Sequence, residues 1–331
     1  MNILVTGGAG YIGSHVCKAL ARKGHVPVTY DNLSRGRTWA IKWGPFEKGD
    51  IADADRLRIV LGKYRPGALM HFAAYAYVGE SVERPLLYYD NNVAGSAVLL
   101  HALIEHEPIP VVFSSTCATY GLPEHIPMTE AHRQHPISPY GFSKLFVERM
   151  LADVNVAHGL PWLALRYFNA AGADPDGEVG EAHDPETHLI PLVLAAARAG
   201  TPVQIFGADY DTPDGTCVRD YIHVTDIADA HVRALEYLFA GGESCALNLA
   251  NARGYSVKEV IAAAETVCGG AIRSQIMARR PGDPPVLIGD ASRAHALLGW
   301  KPIRSSLEIQ IRDAWSWMNR RASSDPEGER E

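Results

Sequence analysis

The segment Thr6-Gly7-Gly8-Ala9-Gly10-Tyr11-Ile12-Gly13 narrows the folds open to this chain more than any other. It follows the apolar run Asn2–Thr6 directly and opens an apolar-periodic stretch, so it fits both G-x-x-G-x-x-G (Gly7, Gly10, Gly13) and G-x-G-x-x-G (Gly8, Gly10, Gly13). Without side chains there, the backbone turns sharply out of a strand. A pyrophosphate can then reach the N–H groups that start a helix, and the helix can press on the sheet. A glycine trio alone fits a plain tight turn as well, so the surrounding pattern has to decide.

That pattern is an alternation. Asn2–Thr6, Val26–Tyr30, Ala68–Phe72, Val111–Ser115 and Trp162–Phe168 read as strands. Helical periodicity fills the intervals near Ile12–Lys23, Asp53–Tyr64, Pro85–Glu107 and Pro139–Ala157. Repeated β-α-β units predict an α/β, Rossmann-type doubly wound parallel sheet, with ligands at the carboxyl ends of its strands. From Gly172 to Pro185 the chain turns polar and rich in Gly and Pro, which sets a boundary. The expected domains are 1–171 for the dinucleotide, 172–319 as a smaller C-terminal α/β unit for the substrate, and 320–331 as a loose charged tail. Ala246–Ala250 is expected to return to the first sheet. Leu189–Ala199, Val224–Phe239, Ser256–Cys268, Ala291–Leu298 and Leu307–Asn319 read as helices, the fourth capped by Asp290 and stopped by Gly299.

Composition removes several function classes. The chain has 331 residues, 47% of them apolar, so it can bury a core without disulfides or metals. A net charge of -7 leaves no basic field for nucleic acid or anionic lipid. The 5 cysteines are scattered and contain no C-x-x-C pair, which suits a soluble protein of the reducing cytoplasm. The closest metal-like spacing, His132-x-x-His135, has no evident third ligand, so no metal is expected.

The second strand ends in Asp31-Asn32. An acidic side chain there can accept bonds from an adenosine ribose and would repel a 2′-phosphate, which favours NAD over NADP. Arg35 and Arg37 follow closely and pull the other way. Asp50 and Ile51 are expected near adenine, with Asp50 equally able to cap the next helix. Tyr140 and Lys144 lie four apart on one helix face behind an N-cap and first-turn proline, Ser138-Pro139. Val111–Ser115 runs into Ser114-Ser115-Thr116, so hydroxyls and the Tyr/Lys pair converge where a nicotinamide would sit. An adjacent ammonium favours a phenolate, which lets such a trio move a proton while the cofactor moves a hydride.

At this point the chain resembles the extended short-chain dehydrogenase/reductase family, and within it the UDP-sugar 4-epimerases. The likeness rests on the glycine segment and on His71-Phe72-Ala73-Ala74, Val78-Gly79-Glu80-Ser81, Tyr89-Asp90-Asn91-Asn92-Val93, Ser114-Ser115-Thr116-Cys117-Ala118-Thr119-Tyr120-Gly121, Arg166-Tyr167-Phe168-Asn169, Asp214-Gly215-Thr216-Cys217-Val218-Arg219-Asp220-Tyr221 and Arg279-Arg280-Pro281-Gly282-Asp283. The resemblance implies retained NAD and interconversion of UDP-glucose with UDP-galactose through a 4-keto sugar. It makes Tyr140 the proton carrier at the 4-hydroxyl and Thr116 its hydrogen-bonding partner, with Lys144 on the nicotinamide ribose. It adds Tyr11, Ile12, Asn32, Phe72 and Ala73 to the cofactor contacts. Asn91, Asn169, Arg219 and Leu287 become sugar or diphosphate contacts, Phe206 lies beside uracil, Arg280 on the phosphates and Asp283 on the uridine ribose. A homodimer pairing the helices near Pro85–Glu107 and Pro139–Ala157 is also implied.

Several readings compete. Arg219-Asp220 equally reads as a surface ion pair and Phe206 as a core aromatic. Tyr75-Ala76-Tyr77 stands where some relatives carry a lysine, and His188 where many carry asparagine. Leu287 is intermediate between the large and small residues that exclude or admit N-acetylated sugars, so UDP-N-acetylhexosamine substrates stay open, and Ala76-Tyr77-Val78-Gly79-Glu80-Ser81 also resembles enzymes acting on UDP-pentoses, whose C4 chemistry is the same. A dehydratase would need acid-base groups after Thr116, where Cys117-Ala118 are neutral. A non-catalytic NAD-sensing module would have no need of Tyr140 and Lys144.

Overall fold

The computed structural model describes residues 1–280 and 282–324. Strands β1 (Asn2–Thr6), β2 (Val26–Asp31), β3 (Phe46–Lys48), β4 (Ala68–His71), β5 (Val111–Thr116) and β6 (Trp162–Tyr167) alternate with helices α1 (Tyr11–Arg22), α2 (Ala54–Tyr64), α3 (Val78–Glu83), α4 (Pro85–Tyr88), α5 (Gly95–His106) and α6 (Pro139–His158). After β7 (Asn169–Ala171) and α7 (Leu189–Ala199) come β8 (Val203–Phe206), β9 (Val218–His223), α8 (Val224–Phe239) and β10 (Cys245–Leu249). The chain ends with β11 (Gly254–Ser256), α9 (Val257–Cys268), β12 (Ser274–Met277), β13 (Val286–Leu287), α10 (Ser292–Leu298) and α11 (Leu307–Ser324).

The main sheet has 7 strands in the order β10-β6-β5-β4-β1-β2-β3, and every pairing in it is parallel. Its strands are buried on both faces, and side-chain alternation decides which core each residue joins. Ile3 and Val5 join the core shared with α1 and α8, while Leu4 between them joins the core shared with α2, α5 and α6. The same split separates Val112 from Val111 and Phe113. Strand order reverses between β1 and β4, which opens a crevice at their carboxyl ends.

A second layer forms around β9, which pairs antiparallel with β11 and parallel with β13 and β7. Strands β8 and β12 form a separate parallel pair. Helices α7, α9 and α11 bury Ile190, Val193, Leu194, Val260, Ile261 and Ile311 against these strands. Helix α9 starts with a reciprocal Ser256/Glu259 capping box.

Several sequence expectations change. The helix expected over 85–107 is broken: a π-helical segment, Tyr89–Ala94, separates α4 from α5. The strands β3, β11 and β13, of two or three residues each, carry too few to show a period of two. The N-cap position before α10 is Ala291, although the Asp290 carboxylate accepts from the Ser292 N–H at 2.6 Å. Helix α11 continues through Ser324 into the stretch expected to be loose, because Arg320 reaches the Asp176 carbonyl at 2.7 Å and Arg321 lies 5.0 Å from the Trp39 ring. The remainder of that tail, 325–331, lies outside the described residues.

Candidate active site

A cavity of about 1790 Å³ runs from the glycine turn, past the end of β5, to α7 and the 280–287 segment. Single-ligand pockets hold roughly 300–1,000 Å³, so this one has room for two ligands side by side. Every site residue expected from the sequence lines it except Asp50.

At the dinucleotide end the site is made of backbone. Gly7 has φ +72°, and a Cβ there would lie 2.5 Å from the Ala73 nitrogen. A Cβ on Gly13 would lie 2.2 Å from the Gly7 carbonyl oxygen. The turn therefore closes only with glycine at both positions, and it leaves the start of α1 open to the cavity beside Ile12, Phe72 and Ala73. This geometry fits a pyrophosphate held by main-chain N–H groups. The Tyr11 hydroxyl is committed to the Gly172 carbonyl at 2.6 Å, which ties the turn to the segment after β7.

Asp31 ends β2 with its carboxylate accepting from the Ala9 N–H at 3.0 Å and the Leu33 N–H at 2.8 Å. Burial raises its pKa, and these two N–H bonds oppose the shift. The second lone pair of each oxygen suits ribose hydroxyls. Arg35 donates to Glu80 at 2.8 Å and the Asp184 carbonyl at 3.0 Å, and Arg37 donates to the Ala182 carbonyl at 3.4 Å. Both guanidiniums line the cavity but already have protein partners, Arg35 on α3 and both on the 182–184 backbone. Asp50 is outside the cavity lining but bonded to it: it accepts from the Asn32 amide at 2.8 Å and the Ala52 N–H at 2.9 Å. The cap of α2, its alternative role, comes instead from Asp53.

Mid-cavity, Ser138 caps α6 with Pro139 in its first turn, as its sequence signals require. This places Tyr140 and Lys144 on the face toward β5. Burial pushes the Tyr140 phenol up to about 12, opposed by the Thr116 hydroxyl. Burial brings the Lys144 ammonium down to about 7, with Glu148 opposing. Lys144 donates to the Ser114 carbonyl at 2.7 Å. The three hydroxyls at the end of β5 divide: Ser114 bonds Tyr167, Ser115 donates to Glu148 at 2.5 Å, and Thr116, which accepts from the Ala118 N–H at 3.1 Å, is the one that opposes the rise of the Tyr140 phenol.

The far end is built from side chains. Arg219 pairs with Asp283 and donates to the Val218 carbonyl at 2.8 Å, so the alternative Arg219–Asp220 surface pair is not formed. Asp220 is buried instead, with its carboxyl raised to about 7 by that burial while it accepts from the Asn251 and Gly289 N–H groups. The Arg280 guanidinium lies 4.0 Å from the Phe206 ring. Phe206 is only partly buried and lines the cavity, unlike a core aromatic. Asn169 donates to the Asp220 carbonyl at 2.9 Å, and Leu287 and Asn91 complete the lining.

Sequence reasoning missed three features. The Arg35 guanidinium lies 5.6 Å and 5.0 Å from the Tyr75 and Tyr77 rings, which explains the Tyr75-Ala76-Tyr77 departure as a cation–π seat. The π-helical segment turns Asn92 inward, where it donates to Ser143 at 3.0 Å and braces α6. Glu181, His183, Glu186 and His188 gather on the cavity wall. Their spacing was visible in the sequence but falls outside the usual ligand patterns.

Comparison with known proteins agrees with this geometry. Residues 3–250 match the family model described as the NAD dependent epimerase/dehydratase family. The chain is 53% identical to a UDP-glucose 4-epimerase of Rhizobium meliloti (strain 1021), over 97% of this chain and 98% of the relative. Among solved structures it resembles a Brucella ovis UDP-glucose 4-epimerase in complex with NAD, with a TM-score of 0.93 and 52% identity over 95% of this chain and 97% of that one. It also resembles a Stenotrophomonas maltophila UDP-glucose-4-epimerase with bound NAD and formylated UDP-arabinopyranose, with a TM-score of 0.94 and 40% identity over 98% and 99% of the two chains.

Proposed function

The chain belongs to the NAD dependent epimerase/dehydratase family, and from that premise we infer that it is an NAD-dependent isomerase interconverting UDP-glucose and UDP-galactose by inversion at C4. The observation that carries this reading is one cavity holding the glycine turn, the Thr116–Tyr140–Lys144 group and the Arg219–Asp283 and Phe206–Arg280 pairs.

The dinucleotide, which the glycine turn, Asp31 and Lys144 would hold, would supply a reversible hydride acceptor for C4. The protein's part follows from its residues. Tyr140 takes the proton of the 4-hydroxyl and gives it back, and Thr116 steadies both the phenol and the sugar oxygen. A phenol held near 12 is a poor base at neutral pH, so positive charge brought beside it, from Lys144 or the nicotinamide, is what activates it. Lys144 holds the nicotinamide ribose. Arg219 and Arg280 grip the diphosphate while the oxidised sugar swings about that link, and Asp283 accepts from the uridine ribose. Phe206 lies against the uracil, with Asn91, Asn169 and Leu287 around the sugar. Gly7, Gly10, Tyr11, Ile12 and Gly13 form the pyrophosphate cradle, with Asp31 and Asn32 at the adenosine ribose. Ile51 lies by the adenine, and Phe72 and Ala73 form the wall.

Val82, Leu86, Phe142 and Phe146 expose apolar side chains on α3, α4 and α6, which supports a homodimer joined through these helices. No described helix is long and apolar enough to cross a membrane, and among the described residues the five cysteines are free thiols, which supports a cytoplasmic enzyme.

The test is incubation of the purified chain, with no NAD added, with UDP-glucose, UDP-galactose, UDP-arabinose and UDP-N-acetylglucosamine in turn. C4 inversion of the two hexoses is expected, and Tyr140→Phe should lower turnover by roughly 10²–10⁴-fold while keeping the dinucleotide. No inversion of any of the four would remove the reading.

A further inference from the structure

Four side chains outside the proton-transfer group converge on the loop that leads into α7. The His188 Nδ1 lies 2.7 Å from a Glu181 oxygen and 3.2 Å from a Glu186 oxygen. The His183 Nδ1 lies 2.9 Å and 3.9 Å from oxygens of the same two carboxylates. One ligand atom from each of the four falls within 4.8 Å of all the others. In a tetrahedral site with bonds of about 2.1 Å, ligand atoms stand about 3.4 Å apart, the scale of the spacing seen here.

We propose that Glu181, His183, Glu186 and His188 form a closed tetrahedral site for Zn²⁺. Two imidazole nitrogens disfavour Mg²⁺ and Ca²⁺, which take oxygen ligands, and suit zinc with carboxylates completing the set. Two carboxylates balance the charge of a divalent ion, so the site closes neutral. All four positions come from protein, which makes the site structural, with no open place for substrate.

The backbone between the ligands is held from elsewhere in the fold. Trp317 donates to the Glu181 carbonyl at 3.3 Å, Arg37 to the Ala182 carbonyl at 3.4 Å and Arg35 to the Asp184 carbonyl at 3.0 Å. The His183 ring meets the Tyr11 and Tyr77 rings edge-on, 6.2 Å and 5.7 Å between centroids. The ligands are therefore set in place by contacts with both lobes, as a metal site needs. A contrasting group, Asp174, Asp176 and Glu178, is closed by the Lys18 ammonium at 2.6, 2.7 and 2.5 Å, which leaves no room for a cation. A zinc staple at 181–188 would fix the cavity wall beside Tyr11, and hence beside the dinucleotide turn, without touching the reacting carbon.

The test uses the full chain with its dinucleotide, dialysed against a chelator and titrated with Zn²⁺ in competition with a chromophoric chelator. Uptake of one Zn²⁺ per chain is expected. It should weaken roughly 100-fold or more in His183→Ala/His188→Ala and stay unchanged in His132→Ala/His135→Ala. Glu186→Gln, which keeps side-chain volume, serves where the double variant does not fold. Co²⁺ loaded into the unaltered chain should give the intense visible absorption of a tetrahedral ion. Absence of stoichiometric uptake, uptake indifferent to the 183/188 and 186 substitutions, or a weak octahedral Co²⁺ spectrum would overturn the proposal.

Discussion

The two ends of the cavity are made of different materials. The dinucleotide end is main chain: Gly7 and Gly13 approach neighbouring backbone so closely that an added Cβ would come within 2.5 Å of it. The end proposed for the nucleotide sugar is side chain, with Arg219 on Asp283 and Arg280 on Phe206. A backbone site has one geometry and fails abruptly when a side chain intrudes. A side-chain site weakens by degrees, since each contact can be lost singly, and so it can be tuned toward one sugar or another.

Gly13→Ala puts the contrast under the greatest strain. Its methyl group meets the Gly7 carbonyl, which cannot move without dragging β1 and Ala73 with it. The expected outcome is a chain purified with almost no dinucleotide, read by the bound NAD per chain released on denaturation. Retention at the parental level would mean that the turn is not the cofactor seat. Arg219→Met probes the other end. Loss of a charge-assisted contact costs about 1.5–3 kcal/mol, so the KM for UDP-sugar should rise roughly 10–100-fold with bound NAD unchanged. A fall in NAD content instead would erase the distinction between the two ends.

Lys144 sits where the two regions meet and gives a smaller, pH-dependent effect. Its ammonium falls from the usual 10.5 to about 7 on folding because it is buried. Between those values the unfolded chain holds a proton that the folded chain lacks, so stability rises with pH across that window, and the penalty is fully present below it. Lys144→Met should therefore be more stable than the parent by about 1 kcal/mol at pH 6, with the gain shrinking toward pH 10, as urea unfolding would report. It should also be inactive. A Met variant less stable at pH 6 than at pH 10, relative to the parent, would contradict the buried-ammonium account.

The same difference governs what could be read from the sequence. The backbone end was legible because its requirement is an absence of side chains at fixed spacing, and because doubly buried strands write continuous apolar runs such as Val111-Val112-Phe113. The Tyr140/Lys144 face was legible from its helix cap and i,i+4 spacing. The side-chain end was reached only through family likeness: strands as short as β13 (Val286–Leu287) leave no period to detect. The partners of Arg219 and Arg280 lie 64 and 74 residues away in the chain. Asp50 was ambiguous in the sequence because an Asp after a strand fits an adenine contact, a turn and a cap equally well; its carboxylate holds Asn32 and the Ala52 N–H. The π-helical segment at Tyr89–Ala94 is set by packing against α6, which no local propensity records.

The account's central claim is that one cofactor, held in place throughout, oxidises and then reduces the same carbon. UDP-galactose carrying deuterium at C4, incubated with the enzyme and an excess of unlabelled NADH in solution, tests it most directly. The account predicts UDP-glucose that keeps its deuterium at C4, with no label in the free NADH. Product that has lost its deuterium to solvent, or to the free coenzyme, would contradict it.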